Sequence, residues 1–488
     1  MKIIKIILSI FSTLCFLTSS GYGQSPSEII LEAIKQSGDW QNVSTLSFTS
    51  SSKNSNRWQA YDFFNPKPFV NVGVWNFNFK DGYYQYNTIA NNAGGYQFNF
   101  TNIGRDTSRY IYDNALSRSG KVLQKGSKAL FDAGLSNLNQ YFPYFQLRAV
   151  LQSRDSLSMR LEGSAMVVKR HLKNGTFEEF HFSKENLLLQ KMVYTSGLLP
   201  AERRFENYIK INGLTFPEKT SFYVQNLFNT TESVANVKVN HPFDTALLAL
   251  PRGYVLTPIT SLVPKVSEIS KDVFMISNVS GGRNILFVNM DDYIVVTEAP
   301  INSDVTQSLI DLIHKTIPSK PIKYIHLSHF HNDHSQGIRS FIADGATLLA
   351  TKPVIDVMKL FLNDNSLSFK DRLSKEPKEA KYESFSKIRT LKDSQHELQF
   401  HEIKNSHAKG LSFVYLPKEK IIYQGDLFSL PDDGTITPAI EVTREFYAYL
   451  KKNKIIPVRI IGHHGHSNIT NDMLKAAIEM SSKKKNAN

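Results

Sequence analysis

Cysteine is almost absent from this chain: Cys15 is the only one in 488 residues. It lies within the first 23 residues, which read as an export segment, so cleavage would leave a chain with none. Disulfides are then excluded, although an exported protein could form them. Thiolate metal ligands are excluded too, and any metal must be held by nitrogen and oxygen. Long apolar runs are missing as well. The stretch Ile6–Leu17 has twelve residues, short of the roughly 20 that a membrane-spanning helix needs. No G-x-S-x-G occurs, so no serine nucleophile elbow is on offer. Tryptophan is scarce, and all three (Trp40, Trp58, Trp75) fall early in the chain. There is no internal repeat and no long low-complexity tract.

The first residues carry a targeting signature. Lys2 and Lys5 precede the apolar stretch, and Ser19, Ser20, Gly21 and Gly23 supply small residues before Gln24. This predicts cleavage near Gln24, a periplasmic or secreted protein, and no membrane span in the mature chain. Leu14 before Cys15 is too large for a lipid-attachment site. The net charge is +13, or +11 without Lys2 and Lys5. Basic residues are dispersed except for Lys483-Lys484-Lys485, which fits a solvated surface or an acidic envelope partner and argues against nucleic acid.

The length suggests two domains or three. Residues 24–258 read as β-rich. Ser27–Gln36 is an amphipathic helix with Ser25 as N-cap and Pro26 in its first turn. Phe69–Phe79 and Tyr96–Phe100 alternate as strands with one buried face. Glu206–Pro217 reads as strand, turn, strand, followed by Val237–Asn240 and Leu250–Tyr254. This series resembles the lipoprotein-carrier fold, a curved sheet over a helix. The resemblance implies a face lined by Trp75, Phe77 and Phe79 that could receive an apolar group; the rival reading, the commoner fate of alternating aromatics, is that these side chains are only core. Pro258–Pro264 reads as a linker. From 265 to 488 strands and helices alternate: Asp272–Ile276, Asn284–Val288 and Ala346–Thr351 as strands, Val305–Thr316, Val354–Leu362 and Asn471–Met480 as helices. The polar stretch Asn363–Tyr382 is either a mobile element over the site or a solvated excursion.

Residues 329–334 read His-Phe-His-Asn-Asp-His, four metal-ligand types in six positions. The apolar strand Ile322–Leu327 precedes them and a short helix from Ser335 follows. In extended chain, residues two apart point the same way, so His329 and His331 can chelate one ion while Asp333 and His334 aim elsewhere. His326, three residues earlier, reads as a packing residue; His314, His396 and His401 have no motif around them.

This pattern resembles the metallo-β-lactamase superfamily, and the further motifs come in the family's order. His407 precedes the strand Gly410–Leu416. Gly425-Asp426 ends the strand from Lys420. His463-His464-Gly465 ends the strand from Arg459. Glu298 ends Ile294–Pro300, where the family usually has an Asp. The resemblance implies an α+β chain whose C-terminal part is an αββα sandwich with metals at one edge. It implies two divalent ions, zinc expected, held by His329, His331, His407 and by Asp333, His334, His464, with Asp426 bridging. His463 or His466 could touch substrate instead. Asp333 would also orient the attacking hydroxide. The expected activity is hydrolysis of an ester, thioester, lactone or phosphoester in a small-molecule or lipid-like substrate. A β-lactamase is disfavoured, because true β-lactamases generally lack the bridging carboxylate. A ligand carrier with a structural metal is the other alternative.

Overall fold

The alternation of Phe69–Phe79 becomes strand Phe69–Asn78, which hydrogen-bonds to Thr45–Asn54 on one side and Tyr83–Asn91 on the other. In the computed structural model it belongs to a 14-stranded sheet that runs from Val255–Pro258 at one edge to Ser156–Glu162 at the other. The structure describes residues 24–486 apart from 116–119, 154, 174–175, 197–198, 260–261 and 364–370. The expected export segment and part of the expected linker therefore lie outside the described residues. Among the described residues, the strand pairs of this sheet are antiparallel except Val255–Pro258 with Val122–Gly126.

Helices Pro26–Gln36, Lys128–Ser136 and Pro143–Gln152 carry the residues that cover one face of the sheet. The first has the expected cap: the Ser25 side chain accepts from Glu28 N–H and Glu28 reaches back to Ser25 N–H. Trp75 and Phe77 are buried, and the ring of Tyr141 lies 5.3 Å from Trp75. Phe142 and Phe145 fill the space beside Phe48 and Phe79, with ring centroids 5.1 and 5.6 Å apart. Of the two readings open to the alternating aromatics, the structure shows core: side chains of this chain occupy the face. Glu206–Pro217 falls in a hairpin of Leu199–Ile211 and Leu214–Val224, turned at Asn212-Gly213. Leu250–Tyr254 is not a strand; Arg252-Gly253 make a turn before Val255–Pro258. Proline and glycine there break the pattern that Leu250 and Tyr254 suggested.

The C-terminal half holds a 7-stranded mixed sheet beginning at Lys265–Ser270 and a 5-stranded mixed sheet beginning at Ile388–Lys392. Between them lies an apolar core in which Val288, Val295 and Leu349 from the first meet Phe400, Val414 and Ile461 from the second. Helices Ser303–Thr316, Ile338–Asp344 and Lys352–Leu362 pack outside the larger sheet, and Glu441–Lys452 and Asn471–Asn486 outside the smaller one. The chain is therefore α+β with mixed sheets, arranged here as two sheets between helices. Asn363–Tyr382 is anchored where it is described. Asp371 caps the short helix Arg372–Lys375 and pairs with the buried Arg339 at 2.6 Å.

Candidate metal centre

Strand ends deliver the ligand residues. Strand Ile322–His326 runs into the H-x-H-x-D-H turn, which is one helical turn, Asn332–Ser335. Strand Ile421–Gln424 stops at Gly425-Asp426 beside it. A Cβ on Gly425 would lie 2.4 Å from Ser328 Oγ and 3.2 Å from His329 Nδ1. Only glycine lets the Asp426 loop approach this closely.

His329, His331, His407 and Asp426 each bring one ligand atom within 4.8 Å of the others. The hydrogen bonds show which atoms face inward. His331 Nε2 donates to Ala60 O at 3.1 Å and His407 Nδ1 donates to Ala93 O at 3.0 Å. A carbonyl only accepts, so each proton is fixed on that nitrogen and the other carries a lone pair. Those other atoms, His331 Nδ1 and His407 Nε2, have no hydrogen-bond partner, and neither has His329 Nε2. His329 Nδ1 contacts Ser328 Oγ at 2.9 Å. Three unpaired buried nitrogens converging on a carboxylate fit a divalent cation, since buried polar atoms without partners are otherwise costly.

A second group adjoins the first. His334 Nε2 lies 3.4 Å from Asp426 Oδ1 and 3.7 Å from Asp333 Oδ2. His464 Nε2 lies 3.0 Å from Asp333 Oδ2 and 3.7 Å from Asp426 Oδ1. On its other oxygen, Oδ2, Asp426 faces His407 Nε2 at 3.3 Å and His329 Nε2 at 4.0 Å. The two oxygens of one carboxylate thus face two sets of imidazoles. All seven residues expected as ligands are brought together.

The electrostatics favour positive charge at this point. Burial opposes a charge on His334, yet Asp426 and Asp333 beside it hold its pKa well above the ordinary value. Burial likewise opposes charge on both carboxylates, but His334 and His464 keep Asp333 and Asp426 well below the usual carboxylate range. Burial and the neighbouring imidazoles push His329 well below its ordinary value, and burial brings His331 to about 3.

Glu298 stands behind His334, fully buried. Its φ of 61° is left-handed, a conformation that costs a non-glycine residue about 1–2 kcal/mol. Glu298 N–H donates to His326 O at 2.8 Å and Oε2 accepts from Ser328 N–H at 3.3 Å. This aims Oε1 at His334 Nδ1, 3.4 Å away. The longer carboxylate reaches the ligand from behind.

Of the final three histidines, His464 faces Asp333 and Asp426. An atom of His463 comes within 4.8 Å of His334 and His464 ligand atoms, but its ring is engaged on both edges. Nδ1 is 3.1 Å from Tyr423 OH and from Asn284 O, and Nε2 is 3.3 Å from Asp333 O. Fully buried, it packs behind the ligands and does not reach the mouth. His466 contacts Asp432 O at 3.1 Å. His326 is buried and bonded to Ser412 Oγ at 3.0 Å, a packing residue as expected. His396 and His401 are buried beside Glu419 and Tyr449, away from the site, and His314 meets Asp344.

A cavity of about 120 Å³ opens on the side of Asp333, Asp426 and His464, the three least buried ligand residues. Its other lining includes Gln59, Asn92, Tyr96, Phe98 and Ser429. Gln59 Nε2 donates to Asp333 Oδ1 at 2.9 Å, and Tyr96 OH donates to Asp426 O at 3.0 Å. Arg283 Nη2 stands 3.6 Å from Asp333 Oδ2. Sequence reasoning missed all of these. The Gly94-Gly95 pair offered a turn signal, but nothing marked the neighbouring carbonyls.

No protein-family model matches the sequence, and neither does any curated protein. Among the solved structures similar to the chain are metallo-β-lactamase-fold proteins, three of which match over 45% of this chain. A metallo-β-lactamase from Pontibacter korlensis is 16% identical with a TM-score of 0.36, covered over 99% of its length. The flavodiiron protein from Giardia intestinalis is 18% identical at 0.34, covered over 59%, and a metallo-β-lactamase from Hirschia baltica is 15% identical at 0.33, covered over 97%.

Proposed function

We propose that this chain is an exported hydrolase that holds two divalent ions, zinc the expected one, and cleaves an ester-type bond. One observation carries the reading: Asp426 turns Oδ2 towards His329 and His407 and Oδ1 towards His334 and His464. A carboxylate whose two oxygens face two sets of ligand atoms would suit a pair of divalent cations. His329, His331 and His407 would hold one, and Asp333, His334 and His464 the other. Bound there, such cations supply Lewis acidity and a water acidic enough to ionise near neutral pH.

The chain's own groups do the rest. Asp333, ionised and fixed through Oδ1 by Gln59, presents Oδ2 at the mouth, where it can orient the attacking water and hold its proton. The buried imidazoles close the far wall against bulk water. Gln59, Asn92 and Ser429 offer neutral polar contacts at the cavity, and Tyr96 and Phe98 offer apolar ones. That lining supports a small or lipid-like ester, thioester or lactone as readily as a phosphoester. Export rests on the basic and apolar pattern of the first 23 residues. A non-catalytic carrier is disfavoured by the complete donor set and by the filled sheet face.

The test is an assay of ester, thioester, lactone and phosphodiester substrates, with chelator and after return of zinc, iron or manganese, since mixed histidine and carboxylate sites accept all three. Turnover that chelation abolishes and metal restores is expected. Inactivity of the metal-loaded chain on every bond type would remove the hydrolase reading.

A further inference from the structure

We infer that the N-terminal half is a working part of the metal centre, with Gln59 as the positioning residue for Asp333. The inference rests on the metal reading above and adds what neither motif nor resemblance contains.

Four hydrogen bonds cross from residues 59–96 to four expected ligands. Ala60 O takes the His331 proton at 3.1 Å and Ala93 O takes the His407 proton at 3.0 Å. Gln59 Nε2 donates to Asp333 Oδ1 and Tyr96 OH donates to Asp426 O. The partner on the outer nitrogen of a ligating imidazole fixes its tautomer and ring orientation. For His331 and His407 that partner belongs to the N-terminal half. Without it, both rings would be free to rotate or to carry the proton on the nitrogen that must face the metal.

Gln59 does the corresponding work for the carboxylate. Its amide has two protons; one goes to Asp333 Oδ1 at 2.9 Å and the other to Asn332 Oδ1 at 2.6 Å. With Oδ1 so held, Oδ2 is the oxygen left to face His464 at 3.0 Å.

The segment is wedged, not draped. The ring of Trp58 meets Phe361 edge-on at 5.6 Å and Phe63 meets Phe330 at 6.0 Å, and both Trp58 and Phe63 belong to the apolar core of the C-terminal half. Lys409, two residues after a ligand, bonds Asp62 at 2.9 Å and donates its N–H to Tyr61 O at 2.7 Å. On the other crossing, Gly94 has φ of 82°, and a Cβ there would lie 3.0 Å from Cβ of His407.

If Gln59 merely packed, its removal would change stability and leave the ions alone. The experiment compares the full chain with Gln59→Ala and Lys409→Ala, the latter loosening the same contact away from any ligand side chain. Zinc affinity is measured for each ion by chelator competition, with the visible spectrum of the cobalt-loaded protein and the thermal midpoint of the metal-free protein. The expected result is one of the two ions weakened about 10- to 100-fold in Gln59→Ala with an altered cobalt spectrum, and in Lys409→Ala only a small weakening shared by both ions with an unaltered spectrum. Unchanged affinities in Gln59→Ala would overturn the inference whatever the midpoint does. Equal weakening in both variants would overturn the positioning role and leave only docking. A wild-type chain that takes up no metal would overturn instead the metal reading on which this one stands.

Discussion

His331 and His407 show at residue scale what a sequence can and cannot reveal. As candidate ligands they were legible, because their donor atoms belong to the side chain and the motif sets His331 two residues from His329. Their partners were not, because every residue carries a carbonyl and Ala60 and Ala93 carry little else. Asp333 was legible as a ligand type, whereas the amide that holds it stands 274 residues away in sequence. Asp333→Ala should cost on the order of 100-fold or more in kcat, the range expected for losing a proton-handling group. The fold should survive, since the side chain lies at the cavity mouth and is 22% exposed. Steady-state kinetics beside a thermal melt checks both halves of this expectation. Turnover equal to wild type would remove Asp333 from the chemistry.

At the scale of elements, period and punctuation located most strands and helices, and the misreadings have physical causes. Leu250–Tyr254 looked like a strand because its ends are apolar, but Pro251 and Gly253 make it a turn. The aromatics of Phe69–Asn78 left core and receptive face both open, because alternation says which side is buried and not what buries it; Tyr141 and Phe142 do. In Asn363–Tyr382 a polar composition hid an anchor. Arg339 donates to both oxygens of Asp371, through Nε at 2.6 Å and Nη2 at 3.0 Å, tying the helix behind the metal loop to this stretch. Burial pushes the Asp371 carboxyl up, but Arg339 and Ser374 outweigh it and bring the pKa to about 2. A depressed carboxylate stabilises the fold above its unfolded pKa of about 3.9, and that contribution fades as pH falls towards about 2. Asp371→Asn should destabilise the protein by about 3–5 kcal/mol, the usual cost of leaving a buried charge unpaired. Urea unfolding at neutral pH measures it. The gap between variant and wild type should narrow in acid; a gap that widened would contradict the assignment.

For the whole molecule, the change from antiparallel strands to alternating strands and helices after residue 265 was readable from period, while the hydrogen bonds between the two stretches were not. Cross-half hydrogen bonds to ligands mean that metal uptake and docking of residues 57–64 should reinforce each other. A ligand present at 100 times its Kd stabilises the folded state by about 2.7 kcal/mol. Chelation should therefore lower the thermal midpoint, and hydrogen exchange should quicken at the amides of residues 57–64 and of 92–96. Faster exchange confined to the H-x-H-x-D-H turn would mean that the halves meet without coupling. Both the docking and the chemistry centre on the ions themselves. Elemental analysis of the purified full chain, dialysed against metal-free buffer, tests that directly. About two divalent ions per chain is the expected result, and fewer than one per chain would contradict the two-metal centre.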